Sequence, residues 1–512
     1  MKPLKIINPI NTAASIFIFF FCIFFIFSTG KFGGDGLENY LTAESIVLDR
    51  DFSIHDRAFQ VKEMRYESRG HQGINKEIYS SYGLGMPLAL VPFYAVGEVI
   101  SKIMPLPHDY ITQFAVSLAN PCFLALLALA IYSLLLKMGF SRKISFTAAA
   151  IYSFCSMNFI YAKSGFSEPL IALLIILSVF YLYTFAGKPH YKYLLLAAAA
   201  FAYAIFIKKN TLILLPVIIV YLMSQSIKSK RNIFFDALIF IAPIIIAVIA
   251  IFIQNKIFFG GISKTEFGTL AETFTYLKFA SSSPLKGLYY YLLSPGKGYL
   301  IFNLALIPGL LALKSFIRKY GAFGWLAAGL LLSNLLFYCA IYTRGSIFSW
   351  GARYLFPTLP LMALLLAQFI KNIDSQKQRI ILFLAVFSGF IIQLPALFMN
   401  FSKHIFFVKE KLLAPEYLID FMPELSPIAG TWRLFLSSIS RHLGNQTLTF
   451  TFNPDYKFVQ PISSSLNGYD GLDLWWVNIL KIKPALSIPV AASMVLLIFI
   501  AFVCLRNILK NE

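Results

Sequence analysis

Charged residues are scarce in this sequence, and acidic residues are the scarcest of them. Only 13% of the 512 residues are charged and 24 are Asp or Glu, whereas 58% are hydrophobic. Soluble domains carry about 25% charged and about 45–50% apolar residues. The shortage therefore excludes a soluble enzyme, a disordered tail and a secreted scaffold. Together with a mean hydropathy of +0.71, it predicts an all-α polytopic membrane protein.

Cysteine is also rare, and its five positions show no metal or disulfide pattern. All of them lie within apolar stretches, and none pairs with another in a loop. The five are Cys22, Cys122, Cys155, Cys339 and Cys504. The sequence therefore indicates neither a disulfide framework nor a zinc site.

Apolar runs of membrane-spanning length follow one another along the chain, and twelve are recognised. A bilayer-crossing helix needs about 20 such residues. The predicted spans are 11–29, 111–136, 144–162, 169–187, 193–207, 211–223, 235–254, 298–313, 321–342, 354–370, 380–399 and 484–505. The first is interpreted as an uncleaved anchor, because no signal-peptide cleavage site follows it.

The loops between these runs alternate in charge. One set is short and rich in Lys and Arg, which accounts for the net charge of +20 and places this set on the cytoplasmic side. The long segments 30–110, 255–297 and 400–483 then lie outside, and both termini are cytoplasmic. Counting the apolar stretch 83–103 as a span would invert every later loop, so it is predicted to be interfacial or re-entrant. A multi-pass protein of the plasma (inner) membrane is expected, with no nucleic-acid partner.

Three parts are predicted along the chain. Residues 1–399 form the transmembrane core and include the first outer loop, 30–110. Residues 400–483 mix polar and apolar positions, and Thr447–Phe452 alternates like a strand, which predicts a small outer-face α/β subdomain. That subdomain could recognise an acceptor or act as a structural cover. Residues 484–512 supply the last span and a cytoplasmic tail.

Acidic residues concentrate in the outer loops, where chemistry is expected. Asp35 stands in a glycine-rich turn before a helical pattern, and its carboxylate could take a proton from a hydroxyl or bind a metal. By spacing alone, a helix N-cap is the favoured interpretation. Glu168 precedes Pro169, an ordinary helix start, or it supplies a second carboxylate to the same cavity.

Basic residues mark the predicted outer membrane edge. Arg344 and Arg353 lie beside Trp350 and Tyr354; they could bind phosphate or belong to an interfacial belt. Lys297 begins a helix, where a cation gains if an anion binds nearby.

Lys208 and Lys209 lie at the turn between two short predicted spans. These lysines are either functional or reach to the interface by snorkelling.

Together these segments resemble the GT-C superfamily of polyprenyl-phosphate-dependent membrane glycosyltransferases. The nearest group is the family-39-like branch, related to protein O-mannosyltransferases and lipid A aminoarabinose transferases. The matching segments are Gly34–Tyr40, Tyr82–Pro87, Phe166–Pro169, Ser294–Gly298 and Trp350–Tyr354. They occur in the expected order over nearly the whole chain.

The resemblance implies an inverting transfer of a sugar from a polyprenyl phosphate to an acceptor hydroxyl on the outer face. It implies Asp35 as the base and Glu168 as a second catalytic acid. The implied substrate-binding residues are Glu38, Tyr40, Tyr82, Lys208, Lys297, Arg344, Arg353 and Tyr354. The expected partners are the lipid-linked donor, membrane lipids and a glycan, lipid or protein acceptor.

One departure from the family pattern concerns a metal. Many relatives carry adjacent Asp and Glu in the first loop, whereas Asp35 is followed here by Gly36 and the next acid is Glu38. A divalent cation is therefore left open, and no metal ligands are assigned.

Other classes of membrane protein would have the same predicted spans. A transporter or lipid-linked glycan flippase would show paired broken helices and acids near mid-membrane. A polysaccharide polymerase or ligase should lack the early Asp35 motif, and a non-enzymatic assembly factor would leave Asp35 dispensable.

Overall fold

The computed structural model describes residues 9–54, 70–265, 268–269, 283–341, 348–413, 415, 417–444, 449–452, 462–466 and 471–510. Helices dominate these residues, and strands occur in them only as three two-stranded antiparallel pairs. The predicted all-α class is confirmed. Arg344 lies outside the described residues.

The first half of the chain supplies eleven labelled helices, broken by short connections. They are α1 Pro9–Ile26, α2 Asp35–Leu48, α3 Gly85–Ser101, α4 His108–Ser117, α5 Ala119–Lys137, α6 Arg142–Phe154, α7 Asn158–Tyr161, α8 Glu168–Gly187, α9 Tyr191–Ile207, α10 Leu215–Lys228 and α11 Ile233–Phe259. Short 3-10 turns at Ile74–Lys76 and Lys209–Leu214 lie between them.

The second half of the chain supplies the remaining labelled helices. Its helices are α12 Pro284–Leu293, α13 Tyr299–Phe302, α14 Ile307–Leu311, α15 Leu313–Tyr320, α16 Ala322–Ile341, α17 Pro360–Lys371, α18 Gln376–Phe398, α19 Ser402–Glu410, α20 Tyr417–Phe421, α21 Pro427–His442, α22 Trp475–Ile482 and α23 Ser487–Lys510. Its 3-10 turns are Leu304–Leu306, Arg353–Thr358, Pro423–Leu425 and Pro484–Leu486.

The strand pairs are short. β1 His71–Gln72 pairs with β2 Ile78–Tyr79, and β3 Lys264–Thr265 pairs with β4 Gly268–Thr269. β5 Thr449–Phe452 pairs with β6 Ile462–Ser465, with Thr449 opposite Ser465. β5 covers residues 449–452 of the strand predicted at 447–452, and positions 447–448 lie outside the described residues.

Seven helical stretches among the described residues are long and apolar enough to cross a membrane. They are His108–Lys137, Glu168–Gly187, Lys209–Lys228, Ile233–Phe259, Ala322–Ile341, Gln376–Phe398 and Pro484–Lys510. Four shorter apolar helices are Thr12–Ile26, Gly85–Ser101, Tyr191–Ile207 and Pro360–Lys371. The chain is a multi-pass membrane protein, and the count of twelve spans stays a prediction.

Two predicted spans, 144–162 and 298–313, are not continuous helices. The first breaks between α6 and α7, and the second is divided among α13, a 3-10 turn and α14. The two breaks contact each other, because the Met157 amide donates to Asn303 Oδ1 over 3.1 Å. A backbone that leaves the helix within a membrane needs such a protein partner.

The main hydrophobic core surrounds α17. Residues 361–367 of this helix are all buried, so its apolar side chains pack on every side. A helix of twelve residues can sit in this way only because its neighbours enclose it.

A smaller core lies in the segment 400–483. Ile405, Val408, Leu412 and Leu434 of this segment pack around Met399. Whether this part is a separate outer-face subdomain stays a prediction.

The apolar helix α3 packs against α2 and α4. Its residues Met86, Leu90 and Tyr94 are buried, whereas Val96 and Val99 are exposed. One face of α3 is therefore free to meet lipid, as an interfacial helix requires.

Candidate active site

Four ionic side chains from distant parts of the chain form one cluster. Glu168 Oε1 accepts hydrogen bonds from Lys208 Nζ and from Arg353 Nε, each over 2.7 Å. The Nη1 atom of Arg353 donates to Asp35 Oδ2. Arg353 thus uses two edges of its guanidinium to join two carboxylates, a geometry that lysine cannot reproduce.

Glycine contacts bring the two carboxylates together. Gly34 has a φ of +61° and leads into α2, so Asp35 is the first residue of that helix. The backbone of Gly36 lies against Gly165, and a Cβ on Gly36 would be 2.6 Å from Gly165 Cα. Only glycine permits this approach, which sets Asp35 beside Glu168 at the start of α8.

The loop before Glu168 is fixed by buried donors. Asn120 Nδ2 donates to the carbonyl oxygens of Ser164 over 2.5 Å and Phe166 over 3.0 Å. Lys163 Nζ donates to the carbonyls of Ala396 and Leu397, over 3.2 and 2.9 Å, at the end of α18. Burial lowers the pKa of Lys163 to about 8, while Asp473 opposes that shift.

Arg353 follows a tight turn, and the residues around this turn hold it in place. Gly351 has a φ of +68° and its carbonyl accepts from the Arg353 amide over 2.9 Å. Trp350 is fully buried and its Nε1 donates to Gln393 Oε1 over 2.7 Å. The guanidinium carbon of Arg353 lies 3.8 Å from the centre of the Phe166 ring. This ring and the carboxylates fix the side chain in one position.

Lys208 projects from the break between α9 and the 3-10 turn Lys209–Leu214. Its ammonium lies 4.7 Å from the centre of the Tyr354 ring, which stacks on Tyr338 at 5.0 Å. A cation over an aromatic face gains electrostatic stabilisation. Tyr354 therefore stabilises the Lys208 ammonium in addition to Glu168.

The cluster is partly exposed at two of its four side chains. The side chains of Asp35 and Lys208 are 28% and 23% exposed, whereas Glu168 is fully buried. Burial alone would raise the pKa of Asp35, but the charge and hydrogen bond of Arg353 outweigh it and lower that pKa below its usual value. Asp35 is thus an ionised, accessible carboxylate next to two cations.

The model of the Alg9-like mannosyltransferase family matches residues 62–417, more than half of the chain. This protein belongs to the Alg9-like mannosyltransferase family. It is therefore a GT-C glycosyltransferase, and the class implied by the sequence resemblance is confirmed. The match includes Glu168, Lys208 and Arg353, while Asp35 precedes it. The sequence segments had resembled the family-39-like branch of the same superfamily.

Two solved structures of ArnT from Cupriavidus metallidurans share 11% identity with this mannosyltransferase-family chain and cover 85% of it. The apo structure has a TM-score of 0.44 over 70% of ArnT. The structure bound to undecaprenyl phosphate has a TM-score of 0.47 over 72% of ArnT. Similarity at this level supports no conclusion about shared residues. No curated protein sequence matches the chain.

The other predicted site residues of this family member fall into two groups. Tyr82 and Tyr354 border the cluster: the Tyr82 hydroxyl lies near the Asp35 carboxylate and helps to lower its pKa, and Tyr354 lies under Lys208. Burial, followed by the charge of Asp35, raises the pKa of Tyr82. Glu38 lies one turn from Asp35 and accepts from the Ser81 amide over 2.7 Å, so it holds the segment that carries Tyr82.

The structure does not bring Tyr40 or Lys297 into the cluster. The Tyr40 hydroxyl is 2.8 Å from Thr112 Oγ1, and its ring contacts Tyr94. Lys297 is fully buried and donates to Ser349. Both residues were predicted because they lie in segments that resemble the family. Such a resemblance indicates that a residue is close to the site along the sequence, but it does not indicate where the side chain points.

The described residues hold no group of three or more His, Cys, Asp or Glu side chains suited to a metal. Asp35 and Glu168 are both joined to cations, which leaves little negative charge for a divalent ion. The second oxygen of Glu168, Oε2, is buried and has no hydrogen-bond partner among the described residues. The cluster as it stands suits a cation-stabilised anion better than a metal.

Lys163, Gly165 and Asn120 are part of the site's support and were not singled out in the sequence. Gly165 had a usable signal, since a glycine in a loop of a few residues next to an acidic helix start predicts close backbone contact. Neither Lys163 nor Asn120 had a signal in the sequence, because their partners are backbone carbonyls far away in sequence.

Proposed function

We propose that this Alg9-like family member transfers a sugar from a polyprenyl-phosphate donor to an acceptor hydroxyl on the outer face of the membrane. The observation that carries the proposal is the cluster in which Arg353 joins Asp35 to Glu168 and Lys208 binds the same Glu168. A transfer of this kind needs a base for the hydroxyl and positive charge for the departing phosphate.

The proposed step accounts for every atom. The acceptor oxygen attacks the anomeric carbon while Asp35 takes its proton. The bond from that carbon to the phosphate oxygen breaks, and the lipid phosphate leaves with the electron pair. Lys208 and Arg353 stabilise the charge on the leaving phosphate. Attack opposite the leaving group inverts the configuration of the sugar.

Glu168 is proposed to act through the cations. Its side chain is fully buried, and its Oε1 binds both Lys208 and Arg353. A carboxylate in this position cannot reach an acceptor hydroxyl without moving. It holds the two cations in place and balances their charge until the donor phosphate arrives.

The family supports mannose as the first donor sugar to test. The alternation of basic loops supports an active site on the outer face of the inner membrane and cytoplasmic termini. We propose the core 1–399 as the catalytic part, and 400–483 as an outer-face subdomain that covers it. Residues 484–512 then form the last span and a cytoplasmic tail. The acceptor is a glycan, lipid or protein hydroxyl of the cell envelope.

A transfer assay tests this function. Purified protein in detergent receives radiolabelled polyprenyl-phosphate mannose and related donors, with wild type beside Asp35→Asn. Loss of a general base costs about 10²–10⁴ in rate. We expect lipid-phosphate release by wild type, and a loss of that size in the variant.

The matched control is Asp374→Asn, which removes an exposed carboxylate next to a basic loop far from the cluster. It should transfer as wild type does. Equal turnover by Asp35→Asn would remove Asp35 as the base. Absence of release from every donor by a folded wild-type protein would overturn the proposed reaction, and flux in vesicles would then be measured.

A further inference from the structure

Lys297 lies inside the protein in a turn that follows α12. The turn is closed by Ser294, whose Oγ accepts from the Lys297 amide over 3.1 Å. The Lys297 side chain is fully buried, whereas Lys208 is 23% exposed. An ammonium so enclosed cannot meet a lipid phosphate that enters from the membrane edge.

The Lys297 ammonium binds the turn that carries Arg353. Its Nζ donates to the Ser349 carbonyl over 2.7 Å and lies 3.2 Å from Ser349 Oγ. Ser349 Oγ in turn donates to the Gly351 carbonyl over 3.2 Å, and the Arg353 amide donates to that same carbonyl over 2.9 Å. A continuous series of hydrogen bonds therefore runs from Lys297 to the backbone of Arg353.

This turn has little freedom to adopt another shape. Gly351 has a positive φ, and a Cβ placed there would be 2.9 Å from the Phe302 ring. Trp350 is held by Gln393, whose Nε2 donates to the Phe302 carbonyl over 2.9 Å. Lys297 supplies the charged contact to Ser349, and hydrogen bonds from charged donors are about twice as strong as neutral ones.

The opposite charge comes from the segment 400–483. Asp420 of α20 is fully buried, and its carbonyl accepts from the Gly296 amide over 3.0 Å. A Cβ on Gly296 would be 2.4 Å from the Ile419 carbonyl, so the turn fits closely on α20. Burial lowers the pKa of Lys297 to about 8; Asp420 opposes this shift and Arg353 adds to it.

We infer that Lys297 is a positioning residue, which fixes Arg353 against Asp35 and Glu168 through Ser349. It is not a ligand of the donor phosphate. The inference rests on the proposed function, because it assigns Lys297 to the geometry of the same cluster. It also links the segment 400–483 to this turn, because the Gly296 amide donates to the Asp420 carbonyl.

A double-mutant cycle tests the inference. Misplacement of a catalytic group by about 1 Å can cost about 10²-fold in rate. Lys297→Met should therefore lower turnover about a hundredfold in the wild-type background. In the Arg353→Lys background it should cost less than threefold, because the guanidinium that Lys297 positions is already gone. An equal loss in both backgrounds would identify an independent role and overturn the inference.

The control is Lys286→Met, an exposed lysine of α12, which should leave turnover unchanged. Lys297→Met removes a positive charge on which the buried Asp420 acts, so Lys297→Met/Asp420→Asn is made as well. This pair should fold, elute as a single species in detergent and show the same reduced turnover. Wild-type turnover within threefold in the folded pair would overturn the inference.

The pH dependence separates the positioning role from a purely structural one. Loss of the Lys297 charge above about pH 8 should lower wild-type turnover, and this alkaline fall should be absent in Lys297→Met. The same fall in both proteins would contradict the inference. If wild type releases no lipid phosphate at any pH, the proposed function fails first, which distinguishes the two failures.

Discussion

Among the described residues, two arginine–carboxylate clusters with a buried carboxylate are built differently. Arg353 joins Asp35 and Glu168, residues 318 and 185 positions away in sequence. Arg231 binds Asp236, only five positions away, through Nε over 2.9 Å, and Ser226 Oγ donates to the same carboxylate over 2.6 Å.

The second cluster closes a local turn between α10 and α11. The Arg231 guanidinium carbon lies 4.3 Å from the centre of the Phe185 ring, and Asp236 is fully buried. The first cluster instead depends on several turns and opens at Asp35 and Lys208. Burial of an ion pair therefore does not by itself indicate function, whereas convergence of distant segments around an accessible carboxylate identifies a candidate site.

The largest expected difference between the clusters comes from replacing each arginine by lysine. Arg353→Lys should lower transfer about 10–100-fold, because one ammonium cannot reach both carboxylates as the guanidinium does. Arg231→Lys should keep the single contact to Asp236 and transfer as wild type does. The measurement is kcat/KM for the donor. Equal losses in the two variants would show that the clusters share one structural role.

A smaller effect is expected from the glycine contact that assembles the first cluster. Gly36→Ala forces its Cβ against the Gly165 backbone, so Asp35 must move away from Glu168. Turnover should fall about tenfold, as a displacement of less than about 1 Å would produce. Gly33→Ala is the control, since a Cβ there meets nothing within 4 Å. Turnover in Gly36→Ala at the level of Gly33→Ala would show that this contact does not position Asp35.

The smallest expected effect is a shift in pH dependence. Arg353 lowers the pKa of Asp35 below the usual value of about 3.9, so the ionised pair contributes stability above that pH and loses it as pH falls through the folded pKa. In Arg353→Gln, burial is less opposed and the pKa of Asp35 rises. The acid limb of kcat should therefore move to higher pH, while the charge of Lys208, which remains, limits the shift.

Arg353→Lys is the control for that experiment, because it keeps the positive charge beside Asp35. Its acid limb should stay close to that of wild type. An acid limb that is the same in Arg353→Gln and wild type would show that Asp35 does not set it.

Composition and charge alternation were enough to predict the membrane class, because hydropathy and loop charge are local properties. The apolar runs at 169–187, 235–254 and 321–342 match α8, α11 and α16 closely. Breaks in the runs 144–162 and 298–313 could not be predicted. They depend on the bond between Met157 and Asn303, which joins positions 146 residues apart.

The candidate site likewise has features that could be predicted from the sequence and features that could not. The glycine-rich turn before α2 and the proline after Glu168 predict two helix starts, and the structure has both. The side-chain directions of Tyr40 and Lys297 could not be predicted, because their partners Thr112 and Ser349 lie on other elements. Membership of a motif thus locates a residue near the site without assigning it a contact.

The pairing of Lys208 and Arg353 with two carboxylates affects how well other anionic lipids compete with the donor for the cluster. The cluster has no net charge, so it offers no excess attraction to the anionic phospholipids that surround a membrane protein. Such lipids are present in large excess over any lipid-linked sugar. A ligand binds only if its contacts exceed what the cations lose on leaving Asp35 and Glu168. Selectivity against bulk lipid is therefore set by the strength of the resting ion pairs.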